Sequence, residues 1–344
     1  MKNIWTRRVG LTLALALATA GFASAQDNKL ETPNIRIAVG GKSALFYLPL
    51  SVTEHLGYFK DAGLTVEIAD VSSGARTLQA IIGGSADFGT GTFDHSIQMQ
   101  AKGQPVISIV EMGRYPGFVL GIMTPKASIY HGQKDLKGMK IGVTSLGSST
   151  QFMAAYMLVR NGLNPDTDAT FISTGTTATA VAAARRAEID AIVTSDPMAS
   201  LMTNEKLITV VADTRTPEGT QAVYGAPYPG GVVYASSDFI EKNPKTTQAV
   251  VNAFVRGLKW IASHSPEEIA KLMPSEYALG NFTVYTQAIA ASKAMYSPDG
   301  RFQPGAAEAA YAVLKQFNPP VAAAKVDLSQ TYTNTFVDKA SAAK

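Results

Sequence analysis

Short apolar runs alternate with amphipathic helical patterns from Thr32 onward, and this alternation limits the folds that are open to the chain. Some runs alternate apolar and polar residues, and others are continuously apolar, as in buried strands. The predicted strands lie at 35–39, 64–68, 106–110, 140–143, 191–193 and 207–211. Strands that alternate with helices are typical of a largely parallel sheet, so we predict an α/β fold.

Two of the intervening segments carry apolar residues at helical spacing, and we expect both sets to be buried. The residues that share a face are Leu78, Ile81 and Ile82 in one helix and Val250, Phe254, Leu258 and Ile261 in the other. Ser265-Pro266-Glu267-Glu268 is a capping box that opens a further helix, and Asp196-Pro197 opens another.

The N-terminus has the order of a secretory signal peptide. Lys2, Arg7 and Arg8 precede an uncharged apolar stretch, and Ala23-Ser24-Ala25 is a small-residue cleavage site. The stretch is shorter than the roughly 20 residues of a bilayer span, which favours a signal peptide over an anchor. We predict a signal peptide at 1–25, cleavage after Ala25 and a periplasmic protein; twin-arginine export remains open beside the ordinary secretory route.

Without this leader the formal net charge falls from +3 to 0, because three basic residues are lost. The remaining chain has no run of five or more basic residues, which argues against a nucleic-acid partner. It has no cysteine, so the fold must be held by its core, and a lipid cannot be attached through a cysteine.

The length of the chain favours two lobes, and no long linker separates them. Turn-forming residues interrupt the α/β pattern at Tyr115-Pro116-Gly117 and at 226–231, where we expect two short crossings. We predict that lobe I comprises 33–116 and 232–344, and that lobe II comprises 117–231.

Two segments resemble nucleotide-binding motifs, but each lacks a glycine that the motif requires. Gly41-Lys42-Ser43 resembles the end of a P-loop, but Arg36 stands in the place of its first glycine. Gly89-Thr90-Gly91 resembles a dinucleotide fingerprint, but Asp94 replaces the third glycine. The histidines lack metal-ligand spacing, and we expect each to be a surface or locally hydrogen-bonded residue: His55, His95, His131 and His264. The sequence therefore predicts no enzyme, no cofactor and no metal.

Small polar loops with glycine recur where a predicted strand gives way to a helix. They are Gly40-Gly41-Lys42-Ser43, Thr90-Gly91-Thr92, Ser145-Leu146-Gly147-Ser148-Ser149-Thr150 and Thr174-Gly175-Thr176-Thr177. In open α/β sheets ligands bind beyond the carboxyl ends of the strands, and helix N-termini there hold anions. A plain cap or turn is the alternative for each loop taken singly. Together the loops predict one cleft for a small anion.

Charged and aromatic candidates lie near these loops. Lys42 and Arg114 each follow a strand, with a solvated surface charge as the alternative. An aromatic wall, or equally core packing, is predicted for Phe46, Tyr47, Phe93 and Tyr115. The full set of predicted ligand-binding residues is Lys42, Ser43, Phe46, Thr90, Gly91, Thr92, Arg114, Ser145, Ser148, Ser149, Thr174, Gly175 and Asp196.

Five segments in fixed order carry a resemblance to a known family over nearly the whole mature chain. They are Leu48-Pro49-Leu50, the run LGYFKDAGLTVE at 56–67, GSADFG at 84–89, DLKGMKIGV at 135–143 and EIDA at 188–191. The set resembles periplasmic substrate-binding proteins of ABC transporters for nitrate, sulfonates and taurine, including binders of pyrimidine precursors.

The resemblance implies a type II periplasmic-binding-protein fold, with two α/β lobes joined by a two-strand hinge around a ligand cleft. It also implies a monomer that delivers a small-molecule solute to an ABC permease in the inner membrane, without catalysis. Its ligand loops match Ser43, Thr90, Ser148, Ser149 and Thr174. Thr194-Ser195-Asp196-Pro197 departs from the family, since many relatives have an aromatic residue before the proline.

Three functions stay open at this point. The first is a receptor that delivers a small anion, such as a sulfonate, taurine, nitrate or an organic carboxylate. The second is an enzyme of the same fold that makes the thiamine pyrimidine, although its expected cytosolic location and cysteines are missing. The third is a subunit that senses a ligand for a membrane receptor. An aromatic acid or a thiamine-pyrimidine precursor is the alternative ligand.

Overall fold

The computed structural model describes residues 29–176 and 178–342. The predicted signal peptide and its cleavage site after Ala25 lie outside the described residues, and so does Thr177. The described strands are β1 (Asn34–Val39), β2 (Thr65–Asp70), β3 (Phe88–Thr92), β4 (Val106–Glu111), β5 (Phe118–Met123), β6 (Lys140–Val143), β7 (Thr170–Ser173), β8 (Ala191–Ser195), β9 (Ile208–Asp213) and β10 (Gly231–Ser236).

Helices follow most of the strands and continue to the C-terminus. They are α1 (Leu48–His55), α2 (Tyr58–Asp61), α3 (Gly74–Ile82), α4 (Asp94–Ala101), α5 (Thr124–Ala127), α6 (Ser149–Arg160), α7 (Ala178–Arg185), α8 (Met198–Asn204), α9 (Pro217–Tyr224), α10 (Ser237–Lys242), α11 (Pro244–Ser263), α12 (Pro266–Leu272), α13 (Phe282–Ser292), α14 (Ala306–Leu314), α15 (Pro319–Ala323) and α16 (Thr335–Ala342). Short 3₁₀ turns lie at Leu45–Tyr47, Gln133–Leu136, Ser275–Ala278, Lys293–Met295 and Leu328–Gln330.

The strands form two five-stranded sheets. Sheet I has the order β2-β1-β3-β10-β4, and sheet II has the order β7-β6-β8-β5-β9. β1 pairs in parallel with β2 and β3, whereas β10 lies antiparallel between β3 and β4. β6 pairs in parallel with β7 and β8, whereas β5 lies antiparallel between β8 and β9. The predicted α/β fold is confirmed, with one antiparallel strand in each sheet.

The antiparallel strands mark the places where the chain changes sheets. After β4 the chain crosses through residues 112–117 and enters sheet II as β5. After β9 it returns through residues 214–230, which include α9, and enters sheet I as β10. The division into lobe I (33–116 and 232–344) and lobe II (117–231) stays a prediction.

Burial follows the predicted helical faces with one exception. The predicted face of α11 is fully inside, from Val250 to Ile261, because α11 lies against α1 and the edge of sheet I. Leu78 and Ile81 are also buried, but Ile82 is 42% exposed, so its predicted burial is wrong. Ile82 is the last residue of α3, and the residues that follow it, Gly83 to Ser85, are exposed.

Two helices, α12 and α8, begin at the residues that the predicted caps indicate. The Ser265 hydroxyl accepts from the Glu268 amide, and the Glu268 carboxylate accepts from the Ser265 amide, which completes the predicted capping box of α12. α8 begins directly after Asp196-Pro197.

The predicted loop Thr90-Gly91-Thr92 is wrong, because these three residues are the end of strand β3. Gly91 pairs with Val232 of β10, a strand that arrives late in the chain, and this pairing extends β3 through Thr92. The loops that follow β1, β6 and β7 lie where they are predicted, at the carboxyl ends of their strands.

Candidate functional site

A cavity lies between the two sheets, at the carboxyl ends of their strands. Thr92 ends β3, Ser195 ends β8 and Thr144 directly follows β6, and all three line the cavity. This is the position at which open α/β sheets bind ligands. The volume of the cavity is about 30 Å³ in the described arrangement, well below the range of about 300–1,000 Å³ for ligand pockets, so the two walls lie close together.

Sheet I supplies what we call the aromatic wall: Ala44, Phe46, Tyr47, Gly74, Thr92 and His95. The 3₁₀ turn Leu45–Tyr47 presents Phe46 and Tyr47 side by side, with ring centroids 4.8 Å apart in an edge contact. Phe46 also stacks on Phe118, which lies at the start of β5, with ring centroids 5.4 Å apart. An aromatic contact therefore joins the two sides of the cavity.

Sheet II supplies what we call the hydroxyl wall: Thr144, Ser148, Ser149, Thr150, Thr176 and Ser195, with Phe118 at its edge. Three of these residues surround the start of α6. The N-cap residue Ser148 makes no side-chain bond to the first-turn amides, because its hydroxyl donates to the Ser145 carbonyl at 2.7 Å. The first-turn N–H groups of α6 thus remain open to an acceptor, and the helix dipole favours an anionic one.

Asp94 connects the two walls from behind. Its side chain is buried, and Oδ1 accepts hydrogen bonds from Thr92 Oγ1 at 2.6 Å and from Ser149 Oγ at 2.7 Å. Oδ2 accepts from the Tyr228 hydroxyl, in the returning crossing, at 3.4 Å. The hydroxyls of Thr92 and Ser149 also contact each other across the cavity. A single carboxyl group therefore holds both sheets and one crossing together.

His95 occupies the base of the aromatic wall. It is 1% exposed, and neither ring nitrogen has a hydrogen-bond partner. Burial lowers the pKa of His95, which outweighs the opposing influence of Asp94, so the imidazole is neutral. Gly91 leaves room for the ring, since a Cβ at Gly91 would lie 3.0 Å from His95 Nδ1. The expectation that His95 is a surface or locally hydrogen-bonded residue is wrong.

Four of the predicted binding residues line this cavity: Phe46, Thr92, Ser148 and Ser149. Lys42 does not, because its Nζ forms an ion pair with Glu54 at 2.6 Å. Ser43 and Arg114 also lie outside the lining, and the Arg114 amide donates to the Met295 carbonyl at 2.7 Å. The lining residues of this described cavity include no lysine and no arginine.

Other predicted residues shape the backbone around the cavity. Thr90 and Thr174 use their hydroxyls to donate to the carbonyls of Ala38 and Val143, at 3.4 and 3.1 Å. The Gly175 amide donates to the Thr144 carbonyl at 3.1 Å. The Ser145 hydroxyl is buried without a partner. These positions hold the loops that carry the lining residues.

Asp196 forms a second contact between the sheets, outside the cavity. Its Oδ2 accepts from Arg215 Nη1 at 2.8 Å and from Ser292 Oγ, in α13, at 2.9 Å. Its backbone carbonyl accepts from the Leu45 amide at 2.7 Å. The side chain of Asp196 is therefore fully engaged with protein groups.

Sequence reasoning missed several lining residues: Gly74, Phe118, Thr144 and Ser195, beside His95 and the supporting Asp94. Thr150 and Thr176 also line the cavity; they lie in the predicted loops but were not among the predicted binding residues. Asp94 and His95 open α4 one residue after the end of β3, and this position was the available signal for both. Phe118 had no local signal, because it reaches the cavity only through the pairing of β5 inside sheet II.

Within the described ranges, no group of three His, Cys, Asp or Glu residues is placed to hold a metal ion. The helices found in those ranges are all too short or too polar to cross a membrane.

The family model described as NMT1/THI5 like matches residues 47–269 of the chain. "Putative binding protein YtlA" of Bacillus subtilis (strain 168) is 24% identical over 261 residues, which is 74% of this chain and 75% of that protein. A 4-amino-5-hydroxymethyl-2-methylpyrimidine phosphate synthase of Saccharomyces cerevisiae, THI11, is 27% identical over only 114 residues, one third of each chain (33%).

Solved structures extend the likeness to nearly the whole chain. A protein of Bordetella bronchiseptica RB50 is 42% identical with a TM-score of 0.88, covering 91% of this chain and 98% of its own. The alkanesulfonate-binding protein SsuA of Xanthomonas axonopodis pv. citri, bound to MOPS, has a TM-score of 0.67 at 18% identity, covering 91% and 99%. The periplasmic nitrate-binding protein NrtA of Synechocystis PCC 6803 has a TM-score of 0.71 at 15% identity, covering 91% and 89%.

The two-sheet architecture is therefore the periplasmic-binding-protein fold, and the family match covers well over half of the residues. The chain belongs to the NMT1/THI5-like family.

Proposed function

We propose that this chain is the periplasmic solute-binding receptor of an ABC importer and captures a small acidic solute in the cavity between the two sheets. The observation that carries the proposal is the start of α6, where a helix N-terminus without a side-chain cap opens into a cavity with walls from both sheets. An unpaired helix N-terminus binds an anion through its N–H groups and its partial positive charge, without an arginine.

Capture of the solute would couple to closure of the predicted lobes. The contacts that join the sheets include Asp94 to Ser149, Leu45 to the Asp196 carbonyl, and Phe46 to Phe118. A solute in contact with both walls would favour the closed arrangement by its differential contacts, and a permease would recognise that arrangement. Export through the predicted signal peptide and action as a monomer belong to the same proposal.

The site supports binding more than catalysis. The lining side chains are aromatic rings, hydroxyls and one neutral imidazole, and no hydroxyl there lies within hydrogen-bond distance of the His95 nitrogens to be activated. The similarity to the pyrimidine phosphate synthase spans a third (33%) of that enzyme, which is too little to carry its activity over.

The aromatic wall favours a second candidate ligand. Phe46 and Phe118 stack with an interplanar angle of 17°, and Tyr47 stands edge-on beside them. A flat ring would find apolar faces there, so an aromatic acid or a thiamine-pyrimidine precursor is the alternative solute for the same receptor.

A thermal-shift screen of residues 26–344 tests the proposed function. The panel contains nitrate, alkanesulfonates, taurine, aliphatic and aromatic carboxylates and the thiamine pyrimidine. A true ligand at 100 times its Kd should add about 2.7 kcal/mol to the free energy of unfolding. If no member raises the Tm and the protein instead turns over a member of the panel, the receptor function is wrong.

A further inference from the structure

Two glycines of β3, Gly89 and Gly91, make room for one tyrosine side chain. Tyr234 of β10 lies opposite Gly89 in the antiparallel register, and residues 89 and 91 point to the same face of the sheet. A Cβ at Gly89 would lie 2.6 Å from Tyr234 Cε2, and a Cβ at Gly91 would lie 2.7 Å from the Tyr234 hydroxyl oxygen. The tyrosine ring therefore lies across both glycines, and this close approach accounts for two glycines inside one strand.

The hydroxyl of Tyr234 ends beside His95. The hydroxyl oxygen and His95 Nδ1 flank one point, the position of a Cβ at Gly91, at 2.7 and 3.0 Å. The two rings meet edge to face, with centroids 6.3 Å apart. Both side chains are buried, and neither the hydroxyl nor Nδ1 has a hydrogen-bond partner. Unpaired polar groups are costly inside a protein, so two of them at this separation favour a bond with each other.

The two nitrogens of His95 face different surroundings. Nε2 lies 4.0 Å from Asp94 Oδ1. The edge of the ring that carries Nε2 faces Gly74, a residue of the cavity lining, since a Cβ there would lie 3.0 Å from Cε1 and 3.9 Å from Nε2. Nδ1 faces Gly91 and Tyr234, and neither is among the lining residues of this described cavity. Nε2 is therefore on the cavity side of the ring, and Nδ1 is on the side of Tyr234.

The surroundings of the imidazole decide which nitrogen holds its single proton. The carboxyl oxygen of Asp94 attracts an N–H group and repels a lone pair, so its position beside Nε2 favours a proton on Nε2. Nδ1 then carries the lone pair, and the Tyr234 hydroxyl can satisfy that lone pair as a donor. A small rotation of either ring, or one bridging water molecule, completes the bond.

We propose, on the basis of the receptor function above, that Tyr234 is a positioning residue for the ligand. Its hydroxyl donates to Nδ1 of His95 and holds the imidazole with its N–H group towards the cavity. N–H donors then lie in both walls, on His95 in the aromatic wall and at the start of α6 in the hydroxyl wall. An acceptor group of the ligand is held from two sides.

The tautomer of His95 in the unliganded mature chain tests the proposal by ¹⁵N NMR, with the His95 signals identified by their loss in His95→Gln. A nitrogen with a lone pair resonates well downfield of one that carries a proton, and a hydrogen bond to the lone pair moves it back upfield. We expect the lone pair on Nδ1, and a further downfield shift of Nδ1 in Tyr234→Phe, which keeps the ring but removes the hydroxyl. A proton on Nδ1, or an Nδ1 resonance that Tyr234→Phe leaves in place, overturns the proposal.

Tyr285→Phe is the matched control. The Tyr285 hydroxyl is also buried without a partner, but it belongs to α13 and does not line the cavity. Its removal should leave the Nδ1 resonance unchanged. An equal shift of Nδ1 in both variants would show that the signal does not report a bond from Tyr234, and would overturn the proposal.

Calorimetry with nitrate, ethanesulfonate and benzoate measures the effect on binding. Tyr234→Phe should weaken each probe that the unmodified chain binds by about threefold, because a ring that can turn presents its N–H group to the cavity only part of the time. Equal affinities for Tyr234→Phe and the unmodified chain overturn the positioning role. Failure of all three probes to bind counts against the receptor function alone, since the unliganded spectra decide the tautomer.

Discussion

The two walls of the cavity differ in chemistry and in how they are built. The aromatic wall on sheet I presents the rings of Phe46, Tyr47 and His95, and neither nitrogen of His95 has a hydrogen-bond partner. The hydroxyl wall on sheet II consists of serines and threonines around the start of α6. The helices differ too, because Ser73 caps α3 by accepting from the Arg76 amide at 3.3 Å, whereas α6 has no side-chain cap.

This difference indicates that the two walls make different kinds of contact with a ligand. A side-chain cap occupies one of the free N–H donors at a helix start. The start of α3 therefore offers fewer N–H donors to an acidic group than the start of α6. The aromatic wall supplies apolar contact and the imidazole, and the hydroxyl wall supplies donors. Closure brings the two kinds of surface onto one solute, so variants that act on one wall should have separable effects.

The largest effect is expected for Ser149→Ala. Ser149 donates across the cavity to the buried carboxyl of Asp94, and a hydrogen bond to a charged group contributes about 1.5–3 kcal/mol. Calorimetry should show this loss in ligand affinity. Ser148→Ala is the control, because its hydroxyl bonds within its own loop; equal losses for both variants would show that the cross-cavity bond is unimportant.

A smaller loss is expected for Gly41→Ala. Gly41 has φ +132°, and a Cβ there would collide with the Thr176 hydroxyl of sheet II, which should hinder closure and cost about 1–2 kcal/mol of affinity. Gly57→Ala shares the positive φ but has open space around its Cβ. If both variants bind equally well, the walls do not need to approach this closely.

The pH dependence of the free energy of unfolding tests whether the buried imidazole of His95 is neutral. Burial lowers the pKa of His95 in the folded chain, so only the unfolded chain takes up this proton as the pH falls below about 6.5. The free energy of unfolding therefore falls by at most about 1.4 kcal/mol per pH unit. Asp94 opposes this shift and Lys102 adds to it. Urea unfolding of the unmodified chain between pH 7.5 and 5.5 should show a steeper decline than His95→Gln; parallel curves would contradict a buried neutral imidazole.

The smallest effect is expected for Lys42→Met. Lys42 pairs with Glu54 on the partly exposed surface, and such pairs contribute about 0–1 kcal/mol to stability. Affinity for an acidic ligand should stay within about threefold of the unmodified chain by calorimetry. A loss of tenfold or more would place the Lys42 charge in the binding site after all.

Local patterns were sufficient for most of the strands and for the hydroxyl wall. The predicted strand at 140–143 matches the bounds of β6, because three neighbouring apolar or small residues after Lys140 mark a buried strand. Ser148 and Ser149 were found because a polar glycine loop between a strand and a helix is visible in a short window. Each of these signals lies within a few residues.

The features that the sequence patterns did not predict depend on contacts between segments that are distant in the sequence. Thr92 is a strand residue because β10 pairs with β3, and Lys42 turns away from the cavity because Glu54 lies within reach on α1. Phe118 meets Phe46 only because two sheets face each other. The sequence by itself determined the α/β alternation and the loops at the strand ends, since both depend on local periodicity and turn chemistry. Only the tertiary structure decided which side chains share the cavity, because burial and pairing depend on segments that meet only when the chain folds.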